Sequence, residues 1–369
     1  MTDQPMRPQH VAAKPFVAVC ILSGLPTEAV NRGFRRIREV AQVHSFLEFV
    51  ESASHPKSLA GVLLPPHVET SQIVEEWEES EYLAERFGSG SHIEKVVTVV
   101  DSDSLLSHLR ASETISNRGW GKSSRDNRTI ADILVGQIES ATHLLIIGHS
   151  RSCENITQVL VALNPGANRL ALDQTSNAEL REFISSSRTA SQGRMDLSRP
   201  FASAQVVPPW LDLLQANSHT TGTSGQFLYR RSLPFDPVRF EEWLSNPPSQ
   251  ILRGKGRIWF AHRCAESFGY SCAGSVHRVF SAGPWWANYR GTAWPSCEVA
   301  RDRLLAQWHP HFGDRRQEIA FIGSDLDGDQ IGSELDACLL SEEEAISLIS
   351  SPEPFSQTET DVAHRAGLQ

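Results

Sequence analysis

Continuous apolar runs recur at 16–22, 96–100 and 144–147, with a weaker one at 170–172. Runs of this length, separated by helical patterns, read as strands buried on both faces of a parallel sheet. Between them, Thr129 is placed to cap a helix in which Ile130, Ile133, Leu134 and Ile138 recur near helical spacing, and that stripe should lie on the sheet. From about 175 to 226 the pattern weakens into the Ser-rich "SSSRTASQ" and "NSHTTGTSG", which read as a linker. The second half resumes at "YRRSLPFDPVRFEEWL", where Asp236 can cap a helix and Pro237 suits its first turn. Strand-like "RIWFAHR", "SVHRVF" and "EIAFIG" follow, then a helix from about 329 to 340. The expected organisation is a first α/β domain at 14–175, a linker at 176–225, a smaller α+β domain at 226–344 and a flexible tail at 345–369.

The first run ends at "ILSGLPTEAVN", a strand passing through a glycine into a helix, which is the local shape that cradles phosphates. A phosphate loop needs G-x-x-x-x-G-K-[ST], so that backbone N–H groups wrap the phosphates while the lysine reaches the outer ones and the hydroxyl holds Mg²⁺. Gly24 fills the first slot, but Ala29 stands at the second glycine, Val30 at the lysine and Asn31 at the hydroxyl. Glu28 adds a negative charge where phosphate would lie. A complete Gly-Lys-Ser occurs at Gly121, Lys122 and Ser123, yet Ser116 stands at the first glycine slot and no apolar strand precedes it, so it reads as a polar loop.

Composition narrows the classes. At 369 residues and 40% hydrophobic content, the chain can bury two cores. A net charge of −10 argues against a nucleic-acid surface, whose affinity rests on Lys and Arg, and points to a protein or small-molecule partner. The six cysteines are sparse and irregularly spaced, unlike a disulfide framework, which makes a reducing cytoplasm the expected setting. The run at 16–25 has no small-residue cleavage site after it, and no stretch reaches the ~18 apolar residues of a membrane span.

The blocks "RRSLPFDPVRFEEWL", "ILRGKGRIWFAHR", "AGPWW" and "HFGDRRQEIAFIGSDLD…LDACLLSEEE" resemble, in order and spacing, the C-terminal domain of CobW-like proteins, which are P-loop GTPases linked to zinc or cobalt delivery. The first half resembles them more weakly through "ILSG", "VVTVVDS" and "TIADILVGQIESATHLLII". The resemblance implies a P-loop NTPase-like parallel sheet ahead of the smaller domain, with its chemistry degenerate. Where the family reads guanine with Asn-Lys-x-Asp, this chain has Gly148, His149, Ser150 and Arg151. The family's Cys-x-Cys-Cys cannot exist here, because no cysteine lies between Cys20 and Cys153. The segment "SLAGVLLPPHVETSQIVEEW" replaces the catalytic strand and its loop. Losing the lysine and metal ligand removes most of what this fold supplies to phosphoryl transfer, so the expectation is a pseudo-GTPase with no nucleotide cofactor.

The chain is also similar to a divergent CobW-like branch, linked to zinc limitation and to recruiting a hibernation factor to ribosomes, through "TIADILVGQIESATHLLII" and "LVALNPGANRLAL". That implies a protein-binding adaptor or regulator with a ribosome-associated partner. The alternative is a GTP-dependent zinc or cobalt metallochaperone. The remaining candidates are weighed against packing roles. His262, Cys264, Cys272 and His277 carry the N and S ligand types zinc prefers, although small Cys and edge His are also ordinary in strands. Trp285, Trp286 and Tyr289 could form a partner surface or pack inward. "DLDGDQIGSELD" superficially suggests a calcium loop, but counting from Asp325 puts Gln330, Gly332 and Asp336 where glycine, an apolar residue and glutamate belong, so it reads as a strand end and helix cap. In "FGDRRQE", Arg315 and Arg316 beside Asp314 and Glu318 read as charge pairs at the start of a strand.

Overall fold

A computed structural model describes residues 18–51, 60–79, 92–149, 153–185, 225–289, 294 and 297–350. The chain starts with β1 (Ala18–Ser23), whose Val19 and Ile21 face one way and Cys20 and Leu22 the other, all at 1% exposure or less. Helix α1 (Glu28–Val40) follows, then β2 (Val43–Ser45), α2 (Phe46–Glu51), β3 (Ala60–Leu63) and α3 (Thr70–Glu79). Next come β4 (His92–Asp101), α4 (Leu105–Leu109), α5 (Ile130–Ser140), β5 (His143–Ile147), α6 (Cys153–Leu163), β6 (Asn168–Ala171) and α7 (Asn177–Ser185). Among the described residues the six strands form one parallel sheet in the order β2-β3-β1-β4-β5-β6.

Both faces of this sheet are covered, which is why its strands read as unbroken apolar runs. Cys20, Leu22, Val97, Val99 and Leu145 pack under α1 and α7, while Val19, Ile21, Val62 and Val96 meet Phe49 of α2 and Trp77 of α3. Helix α5 starts as the sequence predicts: Thr129 and Asp132 exchange side-chain and backbone hydrogen bonds in a capping box, and Ile130, Ile133, Leu134 and Ile138 are buried.

The second unit contains β7 (Gln226–Arg231), α8 (Pro237–Ser245), β8 (Ile251–Ile258), β9 (Glu266–Ala273), β10 (Val276–Pro284), α9 (Glu298–Ala306), β11 (Gln317–Gly323), α10 (Gly328–Ala337) and α11 (Glu342–Ser350). Its sheet is antiparallel, in the order β10-β9-β8-β11-β7. One face is aromatic: Tyr229, Phe268, Tyr270 and Phe321 pack with Phe240 and Trp243 of α8. At Gly254 this face leaves no room for a side chain, since a Cβ would lie 2.8 Å from both the Cys272 sulfur and the Tyr270 ring. Asp236 caps α8, accepting from the Arg239 amide at 2.9 Å, with Pro237 in the first turn as expected.

The opposite face of the second sheet carries Arg253, Lys255, Ser271, Arg278 and Ile322, and it is covered by the first domain. Leu252, Ala273 and Ile322 join the core built from α4, α5 and α6. Glu139 of α5 receives Arg253 through Nε to Oε1 at 2.7 Å and through Nη2 to Oε2 at 3.2 Å, and Lys255 binds the same carboxylate. Arg278 grips Asp132 with two bonds of 2.6 and 2.7 Å. The two units are therefore joined by both apolar packing and paired charge.

Two boundaries differ from the sequence reading. Residues 177–185, assigned to the linker, form α7, whose Leu180 and Ile184 are buried against α1. Residues 345–350, assigned to the tail, belong to α11, and Ala345 is fully buried with Trp259, Trp285 and Phe312. The remainder of the expected linker, 186–224, and of the tail, 351–369, lies outside the described residues. No helix among the described residues is long and apolar enough to cross a membrane.

Burial pushes the Glu139 carboxyl up, but Arg253 and Lys255 more than reverse it and hold it down at about 2, against an ordinary 4.5. Its contribution to stability is therefore complete above about pH 4.5 and is lost as the pH falls toward 2. Glu139→Ala leaves two cations facing each other in the seam and should cost about 3–5 kcal/mol. Denaturant unfolding checks this, with the larger loss expected near neutral pH and a smaller difference from wild type below pH 3.

Candidate functional site

Parallel sheets bind ligands outside the carboxyl ends of their strands, so the place to examine is the edge formed by the ends of β1, β4 and β5. After Ser23 the chain passes through Gly24, Leu25, Pro26 and Thr27, and α1 begins at Glu28. Thr27 is the helix cap, its hydroxyl accepting from the Val30 amide at 3.2 Å. Four residues thus separate strand from helix, and the positions a phosphate loop needs for its second glycine, lysine and hydroxyl fall inside the first turn and a half of α1.

Two of those positions are used for folding, while Asn31, at the hydroxyl slot, is exposed. Val30, at the lysine slot, is 1% exposed in the core under the sheet, and Ala29 is buried beside it. Glu28 points into solvent and lies 3.6 Å from Arg32. Gly24 is required by packing, because a Cβ there would come within 2.7 Å of the Val99 carbonyl and 2.9 Å of Val30. The scaffold glycine remains while the loop that would wrap an anion is replaced by helix.

Carboxylates line the rest of this edge. Asp101, at the end of β4, accepts from the Thr27 hydroxyl at 3.3 Å, the Ser104 hydroxyl at 2.8 Å and the Asp103 amide at 3.1 Å. Where guanine would be read, the Gly148 amide donates to Asp173 at 2.7 Å and the His149 amide to Asp103 at 3.1 Å. Gly148 holds φ at +132°, a conformation L side chains rarely adopt, with the Ser102 hydroxyl filling the space a Cβ would need. Ser150 and Arg151 lie outside the described residues. An edge bearing Glu28, Asp101, Asp103 and Asp173 repels phosphate, and its backbone donors at 148 and 149 are already committed.

The proposed metal quartet does not assemble. Cys272 and His277 are directly opposed on β9 and β10, but Cys264 packs in a separate cluster with Leu233 and Ile346. His262 lies beside Phe260, with ring centroids 5.7 Å apart. His277 directs Nδ1 to the Tyr270 hydroxyl at 2.8 Å, and burial lowers it to about 4. Burial likewise pushes the Cys272 thiol up to about 11, away from the thiolate a metal prefers. Among the described residues no group of three or more His, Cys, Asp or Glu is poised to hold a metal ion.

The aromatic surface is also corrected. Trp285 is 1% exposed, donates Nε1 to the Glu266 carbonyl at 2.9 Å and lies beneath the Arg257 guanidinium. Trp286 is buried too, its amide held by Asp314, and Tyr289 is the exposed member of the three at 44%. Arg315 secures this region by donating to the Cys264 and Phe312 carbonyls and to Asn288. Arg316 and Glu318 form the charge pair that the sequence predicts. At the calcium-like stretch, Asp327 caps α10 through the Gln330 amide at 2.9 Å, as expected of a helix start.

These placements predict that Val30→Lys does not recover a phosphate site. The ammonium would enter an apolar core, costing about 3 kcal/mol or more. Denaturant unfolding should show that loss and calorimetry should show no gain of Mg-GTP binding; a stable variant that binds nucleotide would contradict the placement of Val30.

Comparison with known proteins finds a family match over part of the chain. Residues 224–339 match the family described as "Cobalamin synthesis protein cobW C-terminal domain". The chain is 26% identical over 266 residues to zinc-regulated GTPase metalloprotein activator 1 of Dictyostelium discoideum, covering 69% of this chain and 53% of that protein. It is 30% identical over 244 residues to a zinc chaperone of Mycobacterium tuberculosis, covering 65% of this chain and 57% of that protein. The match thus spans little more than half the length of these relatives. Structural alignment with the Zn(II)-bound YjiA GTPase of E. coli covers 89% of this chain and 100% of that one, at 12% identity and a TM-score of 0.30. The second domain, with its helix capped by Asp236, its Arg- and Gly-rich β8 and its buried Trp285, is the part of the chain that matches the CobW C-terminal domain family.

Proposed function

We propose that this chain is a pseudo-GTPase of the CobW-like family, acting in zinc homeostasis as an adaptor or regulator that holds a protein partner on a fixed two-domain body. The observation that carries the reading is the start of α1 at Glu28 with Val30 buried in the core, which puts helix where a nucleotide's phosphates would need a loop. Phosphoryl transfer depends on positioning and on cations or dipoles at the developing charge, and the edge offers four carboxylates instead. Zinc enters through the relatives, one a zinc-regulated activator and another a zinc chaperone by name. A ribosome-associated partner follows from the resemblance in α5 and β5 and is the first place to look for one.

The relatives' names also favour a second reading, a GTP-dependent zinc or cobalt metallochaperone. Nucleotide binding separates the two. Calorimetric titration of the full chain with Mg-GTP should give no binding in the micromolar range and no turnover. A micromolar dissociation constant, with turnover lost on substitution at Gly24 or Thr27, overturns the pseudo-GTPase reading and supports the metallochaperone.

A further inference from the structure

Helix α8 covers the aromatic face of the second sheet through Phe240 and Trp243. Where it meets β10, the Trp243 ring stands perpendicular to His277, with centroids 6.1 Å apart and planes at 84°. His277 is opposed on β9 by Cys272, and its Nδ1 lies 2.8 Å from the Tyr270 hydroxyl, which also bonds the Cys272 thiol. The other nitrogen, Nε2, is shielded from solvent and has no hydrogen-bond partner.

This pocket suits a neutral ring, which has one donor and one acceptor. Nδ1–H can donate to the Tyr270 oxygen while the Tyr270 hydroxyl donates on to Cys272, and Nε2 then carries no proton. An imidazolium has two donors and a charge. Its Nε2–H would meet no acceptor, in a setting where an unpaired charge is costly.

Neighbouring charges do not offset that cost. On β9 the titratable groups at the ring are Tyr270 and Cys272, both raised by burial, while Glu266 at the far end is paired with Arg263. Arg278, next on β10, turns to Asp132 on the opposite face, as Arg253 of β8 turns to Glu139. On α8, Arg239 donates to the Ala337 carbonyl and Glu242 lies toward Cys338, and Glu334 of α10 accepts from the Trp243 indole at 3.1 Å. Burial is the one cause that acts on His277, lowering it from 6.5 to about 4.

Of the two elements that enclose the ring, β10 is the better anchored. It is paired in register with β9 and tied to α5 by the two bonds between Arg278 and Asp132. Helix α8 is held on this side by the packing of Trp243 and its bond to Glu334. We infer that His277 is an acid-sensitive latch: protonation of its ring drives α8 off the second sheet and uncovers the aromatic face. The body that is fixed near neutral pH thereby gains a second state in mild acid, whether or not the edge at 24–31 binds nucleotide.

Because folding depresses the ring, the latch holds fully above about pH 6.5 and weakens as the pH falls toward 4. Glu139 weakens the seam only below about pH 4.5, so pH 5 isolates the latch. The test is amide hydrogen exchange of the full chain at pH 7 and pH 5, corrected for the intrinsic exchange rate at each pH. Protection of α8 should fall about twentyfold relative to β8 and β10, the ratio set by a ring that titrates at 6.5 when released and at about 4 when latched. His277→Phe keeps an aromatic ring against Trp243 and takes up no proton, so its α8 should be equally protected at both pH values. If that variant does not fold, His277→Asn carries the same comparison. The inference is overturned if α8 of the wild type keeps its protection at pH 5, if β10 opens in its place, or if the variant loses protection as the wild type does.

Discussion

The carboxylate of Glu139, held between Arg253 and Lys255, is the contact on which the two-domain arrangement depends. An antiparallel sheet commonly buries one face and leaves the other in water. In this chain the polar face of the second sheet is instead placed against α5 and α6 of the first domain, and cations in such a position are costly unless matched. Glu139 and Asp132, on one side of α5, match them. Asp132 also completes the capping box that starts α5, so the same carboxylate begins the helix and ties it to β10. The apolar contribution of Leu252, Ala273 and Ile322 becomes available only because these charges are neutralised in place.

This arrangement bears on the loss of the phosphate loop. A nucleotide switch needs an element with two packings whose balance the nucleotide tips. The start of α1 has been drawn into the first core through Ala29 and Val30, and the loop at the end of β5 is held by Asp103 and Asp173. Both regions that would sense a nucleotide have become structural. A body whose domains are joined by partly buried ion pairs suits the proposed adaptor, which presents one fixed surface.

Much of the fold was legible in the sequence, and the misses have common causes. The buried strands β1, β4 and β5 were visible because strands covered on both faces carry no polar alternation. The helices α7 and α11 were assigned to a linker and a tail, although Ser176 with Glu179 and Ser341 with Glu344 form reciprocal capping boxes that the spacing S-x-x-E announces. Ser-rich and acidic neighbours masked that signal. Nothing local to "ILRGKGRI" reveals that Glu139, more than a hundred residues earlier, covers Arg253. At the candidate site, the wrong residue types at 28–31 were readable, but the shortening of the loop to four residues required the position of the Thr27 cap. Trp285 faces inward with its indole N–H on the Glu266 carbonyl, and Asp314 holds the backbone amide of the buried Trp286, partners that composition does not show.

The central claim, a two-domain body that does not respond to nucleotide, is tested most directly by amide hydrogen exchange across the seam with and without Mg-GTP. The account predicts the same protection in both conditions for α5 and for β8 and β9. Nucleotide-dependent opening or closing of these elements would contradict it.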